Sequence, residues 1–141
     1  MYNYKNILYL VSALSAAEKA MHYAKKFNTP VQFFEAEEQL YFNATITLLI
    51  AIGEEVKKTD PQLLQTQPAI QWQNITDMRN VLAHDYRGVD SEIVFSVVKV
   101  ELPKIKIVLI QFIKLFPEKE VGVVLETKHY QHLKNIILIP G

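Results

Sequence analysis

Met78-Arg79-Asn80-Val81-Leu82-Ala83-His84-Asp85-Tyr86 is the stretch from which the rest of the chain is read. It sets a permanent cation, a group that titrates near neutral pH and a phenol within eight residues, at the end of an apolar helical run. Arginine offers a planar fork of donors matched to phosphate oxygens. Histidine is the side chain best suited to move protons near pH 7. Tyrosine adds a hydroxyl that hydrogen-bonds, stacks on a base or accepts a modification. The run itself starts near Trp72, with Ile75, Met78, Val81 and Leu82 as its apolar positions, and predicts a helix from about 72 to 84. At about 100° per residue, Tyr86 would lie ~20° from Arg79 on a continuous helix and His84 ~140° away. Either the helix ends near His84, or Arg79 meets the histidine of a neighbouring subunit. The bland alternative is that Arg79 and His84 complement the helix dipole while Asp77 and Asp85 pair with Arg79 and Arg87 on the surface.

Outward from this stretch the periodicity is helical in both directions. Upstream, residues 33–58 predict one long helix, with Phe33, Leu40, Tyr41, Ala44, Leu48, Ala51, Ile52 and Val56 on one stripe. Ile46, Leu49 and Ile50 widen that stripe, which calls for cover from more than one direction and suggests a second copy of the chain. Glu35, Glu37 and Glu38 suit the positive end of this helix. Residues 4–26 predict a first helix, stopped by Asn28-Thr29-Pro30. Downstream, Gly88 ends the motif helix and Asp90 or Ser91 caps the next, which runs from about 91 to 116 and should kink or break at Pro103. Beyond Pro117, Val121–Leu125 and Ile136–Ile139 are β-branched and short, so strands or an apolar tail are both open. His129 and His132 have a spacing met in metal sites, but no acidic or cysteine partner accompanies them.

Composition narrows the function classes. A chain of 141 residues, half of them hydrophobic, suits one domain with a substantial core. Four glycines and long aliphatic runs favour helices over a turn-rich β fold. Fifteen basic and fifteen acidic residues balance, so any phosphate contact must come from a local cluster. The absence of cysteine excludes disulfides, thiolate metal sites and cysteine nucleophiles. The first residues lack the basic start and apolar middle of a signal peptide, and no apolar run approaches the ~20 residues of a membrane span. A soluble cytoplasmic protein is expected. Phosphate-cradling glycine loops, zinc-protease and serine-hydrolase signatures are all absent.

Four blocks then come in one order: Ile52-Gly53-Glu54-Glu55, Pro68-Ala69-Ile70-Gln71-Trp72, the stretch from Met78 to Tyr86, and Gly88-Val89-Asp90. With Leu102-Pro103 they cover roughly residues 40–116, and together they resemble HepT, the toxin half of the HepT–MntA pair in the HEPN superfamily. The resemblance implies an all-α, antiparallel four- to five-helix HEPN-type bundle over residues 1–116, with a C-terminal extension over 117–141 packed on the bundle or at an interface. It implies a homodimer with two copies of the motif at a shared cleft, and a metal-independent endoribonuclease. Arg79 and His84 are then the catalytic pair, and Tyr86 is the residue to which the antitoxin adds AMP. Asn80, Asp85 and Arg87 are supporting polar or RNA contacts. No cofactor is expected for the ribonuclease itself; ATP and magnesium belong to the partner, an MntA-like nucleotidyltransferase. The alternative within this resemblance is a catalytically silent HEPN module that binds a minimal nucleotidyltransferase or a nucleotide.

Overall fold

The computed structural model describes residues 1–85 and 88–138. The protein is all-α, and no strand occurs among the described residues. Helix α1 spans Lys5–Ala24, α2 Pro30–Glu35, α3 Leu40–Lys58, the short α4 Pro61–Leu64 and α5 Trp72–His84. Helix α6, Ser91–Ser96, runs through a π-helical turn, Val97–Glu101, into α7, Leu102–Ile113. Helix α8 spans Glu118–Leu125 and α9 Lys134–Ile137. The bundle is built on α1, which packs on both α3 and α7, while α5 packs on α3. Alanines make that double contact feasible: Ala13, Ala16, Ala17, Ala20 and Ala24 are all buried, so α1 presents little bulk to its neighbours.

The predicted helix over 33–58 is in fact two. Between α2 and α3 the backbone passes through Glu37, Glu38 and Gln39 at φ of 49°, 55° and 70°. Each left-handed non-glycine residue costs roughly 1–2 kcal/mol, so the bend requires a return. It comes from aromatic packing: the bend delivers a fully buried Phe33 into contact with Phe27, Phe42 and Phe95 at centroid distances of 5.8, 6.3 and 5.5 Å. The bend also rotates α3 relative to the predicted stripe. Phe42, Thr45, Ile46, Leu49, Ile52, Gly53 and Val56 are buried, whereas Leu40 is exposed. Because α1 and α5 cover this broad surface within one chain, its breadth by itself gives no need for a second copy.

Pro103 does not break the fourth helix. A proline ring crowds the carbonyl four residues earlier and removes one donor. Here the preceding turn is widened, and the Leu102 N–H reaches the Val97 carbonyl. The helix therefore continues through the proline at the cost of one π-helical turn. Beyond Pro117 the first β-branched run lies in α8 and the second is helical through Ile137; neither forms a strand among the described residues, and Ile139 lies outside them. Val121 and Leu125, four residues apart, are buried together on one face of α8, and Leu133 and Ile137 are buried near the end. The Tyr130 hydroxyl meets Ser12 Oγ at 2.5 Å and His132 Nε2 lies 3.4 Å from Ser15 Oγ, which ties this segment to α1. Among the described residues no helix is long and apolar enough to cross a membrane.

Two corners position the rest. Buried Asn6 accepts the Asp60 N–H at 2.8 Å and so ties the start of α1 to the end of α3. Asp90 caps α6 by accepting the Glu92 N–H at 2.8 Å. The contact of α5 on α3 depends on Gly53: a Cβ there would overlap the Arg79 Cβ and lie 2.9 Å from its Cγ and 3.2 Å from the Ile75 carbonyl. Glycine to alanine within a helix ordinarily stabilises by about 1 kcal/mol. Gly53→Ala should instead destabilise by roughly 1–3 kcal/mol through overpacking, read as a lower urea midpoint.

In the last turn of α3, burial pushes the Glu55 carboxyl above its ordinary range; Lys58, 3.8 Å away, offsets part of this and neighbouring Glu54 adds to it. The native state thus holds this proton more tightly than the unfolded chain, so stability falls as pH rises through the window above the ordinary value. Glu55→Gln, neutral at every pH, should melt higher than wild type at pH 7.5, and the gap should close below about pH 4. Thermal unfolding at the two pH values checks this.

Candidate active site

Helix α5 carries the motif, and it is the least embedded of the long helices. Of its thirteen residues only Leu82 is fully buried; Trp72, Ile75 and Met78 are half-buried against α3 and α7, and Val81 is 58% exposed. The Trp72 indole N–H donates to the Gln67 carbonyl at 3.1 Å and anchors the first turn. The last helical residue is His84; Asp85 leaves helical geometry at φ −141°, ψ 63° while its N–H still closes on the Val81 carbonyl.

Arg79 points inward, toward α3. Its stem lies on the Gly53 backbone, Nη2 is ion-paired with Glu54 Oε1, and Nη1 donates to Asn80 Oδ1 at 2.8 Å. Nε is buried without a hydrogen-bond partner. The side chain keeps 25% exposure. The surface pairing of Arg79 with Asp77 does not occur, since Asp77 accepts instead from Gln73 Nε2 at 2.9 Å. His84 is exposed and has neither a hydrogen bond nor an ion pair among the described residues. Arg79 and His84 therefore share one unbroken helix, which sets them ~140° apart around its axis, one turned to α3 and the other to solvent. Within one chain the fold does not bring their functional groups together.

The supporting residues divide in the same way. Asn80 is turned to the arginine as an acceptor. Asp85 meets Gly88: its Oδ1 accepts the Gly88 N–H at 3.3 Å, and a Cβ at Gly88 would lie 2.8 Å from its Oδ2. Tyr86 and Arg87, named above as AMP acceptor and supporting contact, lie outside the described residues. Gly53 and Glu54 complete the arginine's surroundings; both stand in the first of the four blocks, but nothing in that block assigns them a role until α3 and α5 are set side by side.

No group of three histidine, aspartate or glutamate side chains gathers for a metal ion among the described residues. A separate groove of about 370 Å³ lies between α3, α5 and α7, lined by Leu49, Ile52, Ile75, Met78, Leu102 and Ile105. Its wall is mainly apolar and includes neither Arg79 nor His84.

Comparison with known proteins adds a family. A candidate RNase of Methanocaldococcus jannaschii is 38% identical over 76 residues, which is 54% of this chain and 66% of that protein. A second protein of that organism, named as a gamma-glutamylcyclotransferase and candidate RNase, is 30% identical over 99 residues, 70% of this chain and 43% of that protein. The protein of Thermococcus cleftensis named "Probable ribonuclease HepT" is 30% identical over 90 residues, 62% of this chain and 81% of its own length. The chain thus spans less than two thirds of the first two relatives, at 66% and 43%. No solved structure matches it. The ribonuclease HepT-like family matches residues 14–112, a span that takes in α3, α5 and every residue around Arg79, and the chain belongs to that family.

Proposed function

We propose that the protein is a metal-independent endoribonuclease, the toxin of a HepT–MntA type pair, silenced by AMP addition to Tyr86. The observation that carries the reading is the combination of a held, partly exposed Arg79 with an exposed His84 that has no partner among the described residues, on the last two turns of one helix in a chain of the ribonuclease HepT-like family. RNA supplies its own nucleophile. The 2′-hydroxyl oxygen attacks the adjacent phosphorus, the bond to the 5′-oxygen breaks, and a 2′,3′-cyclic phosphate and a 5′-hydroxyl end result. His84 takes the 2′-hydroxyl proton or protonates the leaving oxygen, a contribution of roughly 10²–10⁴-fold. Arg79 stabilises the charge that builds on the equatorial oxygens. Because the two groups diverge on their own helix, the reading needs a homodimer in which His84 of one copy works beside Arg79 of the other. The exposed Val81 on α5 suits such a contact.

Purified protein incubated with total RNA in EDTA should cleave it, with cyclic phosphate ends on sequencing. Arg79→Ala and His84→Ala should each abolish cleavage while remaining folded, His84→Ala at the wild-type melting temperature and Arg79→Ala somewhat below it, since its stem packs on Gly53. Co-expressing the two variants tests the shared site. If each site draws on both copies, mixed dimers regain one intact site of two, and about a quarter of wild-type activity returns. No recovery places both groups in one chain. Cleavage by either variant alone at the wild-type rate rejects the assignment, and an inert wild type favours a silent module that binds a nucleotidyltransferase or nucleotide.

Regulation rests on Tyr86. A phenol titrating near pH 10 is a poor base at neutral pH but a serviceable acceptor. An MntA-like nucleotidyltransferase with ATP and magnesium would join the phenol oxygen to the α-phosphorus of ATP, releasing pyrophosphate and a proton. The added AMP brings anionic bulk to the place an RNA phosphate must occupy. Tyr86→Phe should keep cleavage and escape silencing, and intact mass should show an AMP adduct on wild type only.

A further inference from the structure

We propose that Glu54 is a positioning residue for Arg79, an inference that rests on the ribonuclease reading above. An arginine side chain carries about 2 kcal/mol of rotamer entropy, so a guanidinium that must meet a transition state needs its plane set beforehand. Two acceptors set it here, and they come from different helices. Asn80 Oδ1, on α5, takes an N–H from Nη1 at 2.8 Å, and Glu54 Oε1, on α3, is ion-paired with Nη2. Gly53 supplies the floor on which the stem lies, and Nε is turned into the protein. A guanidinium has five N–H groups in one plane. With Nη1 donating to Asn80, Nη2 paired with Glu54 and Nε buried, the N–H groups left on the terminal nitrogens are the ones that can meet the oxygens of a phosphate.

Asn80 cannot do this alone. It is the next residue on the same helix, so it moves with Arg79 and holds it against nothing else. Glu54 is the only one of the two that refers the guanidinium to the bundle. Energetics point the same way: the side chains are 25% and 35% exposed, and an ion pair so open to water adds little to stability. Its consequence is geometric. A competing role, in which Glu54 occupies the place of the RNA phosphate and must be displaced, predicts the opposite sign, since removing the carboxylate would then tighten RNA binding.

The test uses the full-length protein and a mixed-sequence single-stranded RNA carrying a fluorophore and quencher. Glu54→Ala should lower kcat by roughly ten- to a hundredfold, the scale of a misplaced catalytic group, with KM within about twofold of wild type. Glu54→Gln, which retains an acceptor oxygen, should recover much of the loss. The chain has two arginines, Arg79 and Arg87, so a spectrum with ¹⁵N-labelled arginine is readily assigned through Arg87→Lys. Arg79 should show resolved Nη1 and Nη2 signals in wild type and Glu54→Gln, merged in Glu54→Ala. Wild-type kcat in Glu54→Ala beside an inactive Arg79→Ala overturns the positioning role and leaves the ribonuclease reading standing. A lowered KM or raised kcat also overturns it, as do merged Nη signals already present in wild type. Arg79→Ala that cleaves like wild type removes the ribonuclease reading and this role together. Should Glu54→Ala not fold, Glu54→Met keeps the stem, lacks the acceptor and is judged by the same readouts.

Discussion

The close approach of α5 to α3 over Gly53 is the constraint on which the site depends. A missing Cβ lets the arginine stem lie directly on the opposing backbone, and that contact brings the guanidinium within reach of Glu54. Helix α5 has little else to hold it: one buried leucine, a set of half-buried apolar residues and an indole anchored on Gln67. Position and function are therefore joined in a single contact. The residue that would stabilise a phosphorane is also part of the packing that keeps its own helix in place.

The remainder of the bundle supplies a rigid floor for that contact. Alanine-rich α1 holds α3 and α7 close, and the aromatic group around Phe33 offsets a bend of three left-handed residues. The π-helical turn before Pro103 performs a similar service for α7, since a widened turn admits the proline without ending the helix. The C-terminal segment adds a cover to α1 through Val121, Leu125, Leu133 and Ile137. The family match ends at residue 112, so this cover lies outside it.

The electrostatics are local, as a chain with balanced charges requires. Arg79 and Glu54 neutralise each other on one side of α5, while His84 stands clear on the other. A site that needs both must be completed from elsewhere, and a second copy related by symmetry is the simplest source. The broad apolar surface of α3, which suggested dimerisation from sequence, is occupied within the chain by α1 and α5. On the ribonuclease reading proposed above, it is the angular divergence of Arg79 and His84 that calls for a partner.

The all-α class rested on the family resemblance, since the tail left strands open, whereas periodicity sufficed for α1 to within two residues at either end and for α5, because an amphipathic stripe and its flanking breakers are local properties. The motif residues were legible for the same reason: they are adjacent in sequence. The bend at Glu37–Gln39 carries no glycine or proline, and what offsets it is the burial of Phe33 among Phe27, Phe42 and the distant Phe95, a grouping that only the folded chain assembles. The tail was ambiguous because β-branched residues follow whichever surface buries them, and α1 offered a helical seat. Gly53 and Glu54 were visible as letters in a block but had no role until α3 and α5 met. Which carboxylate pairs with an arginine is decided by distance across helices, and distance across helices is set by packing.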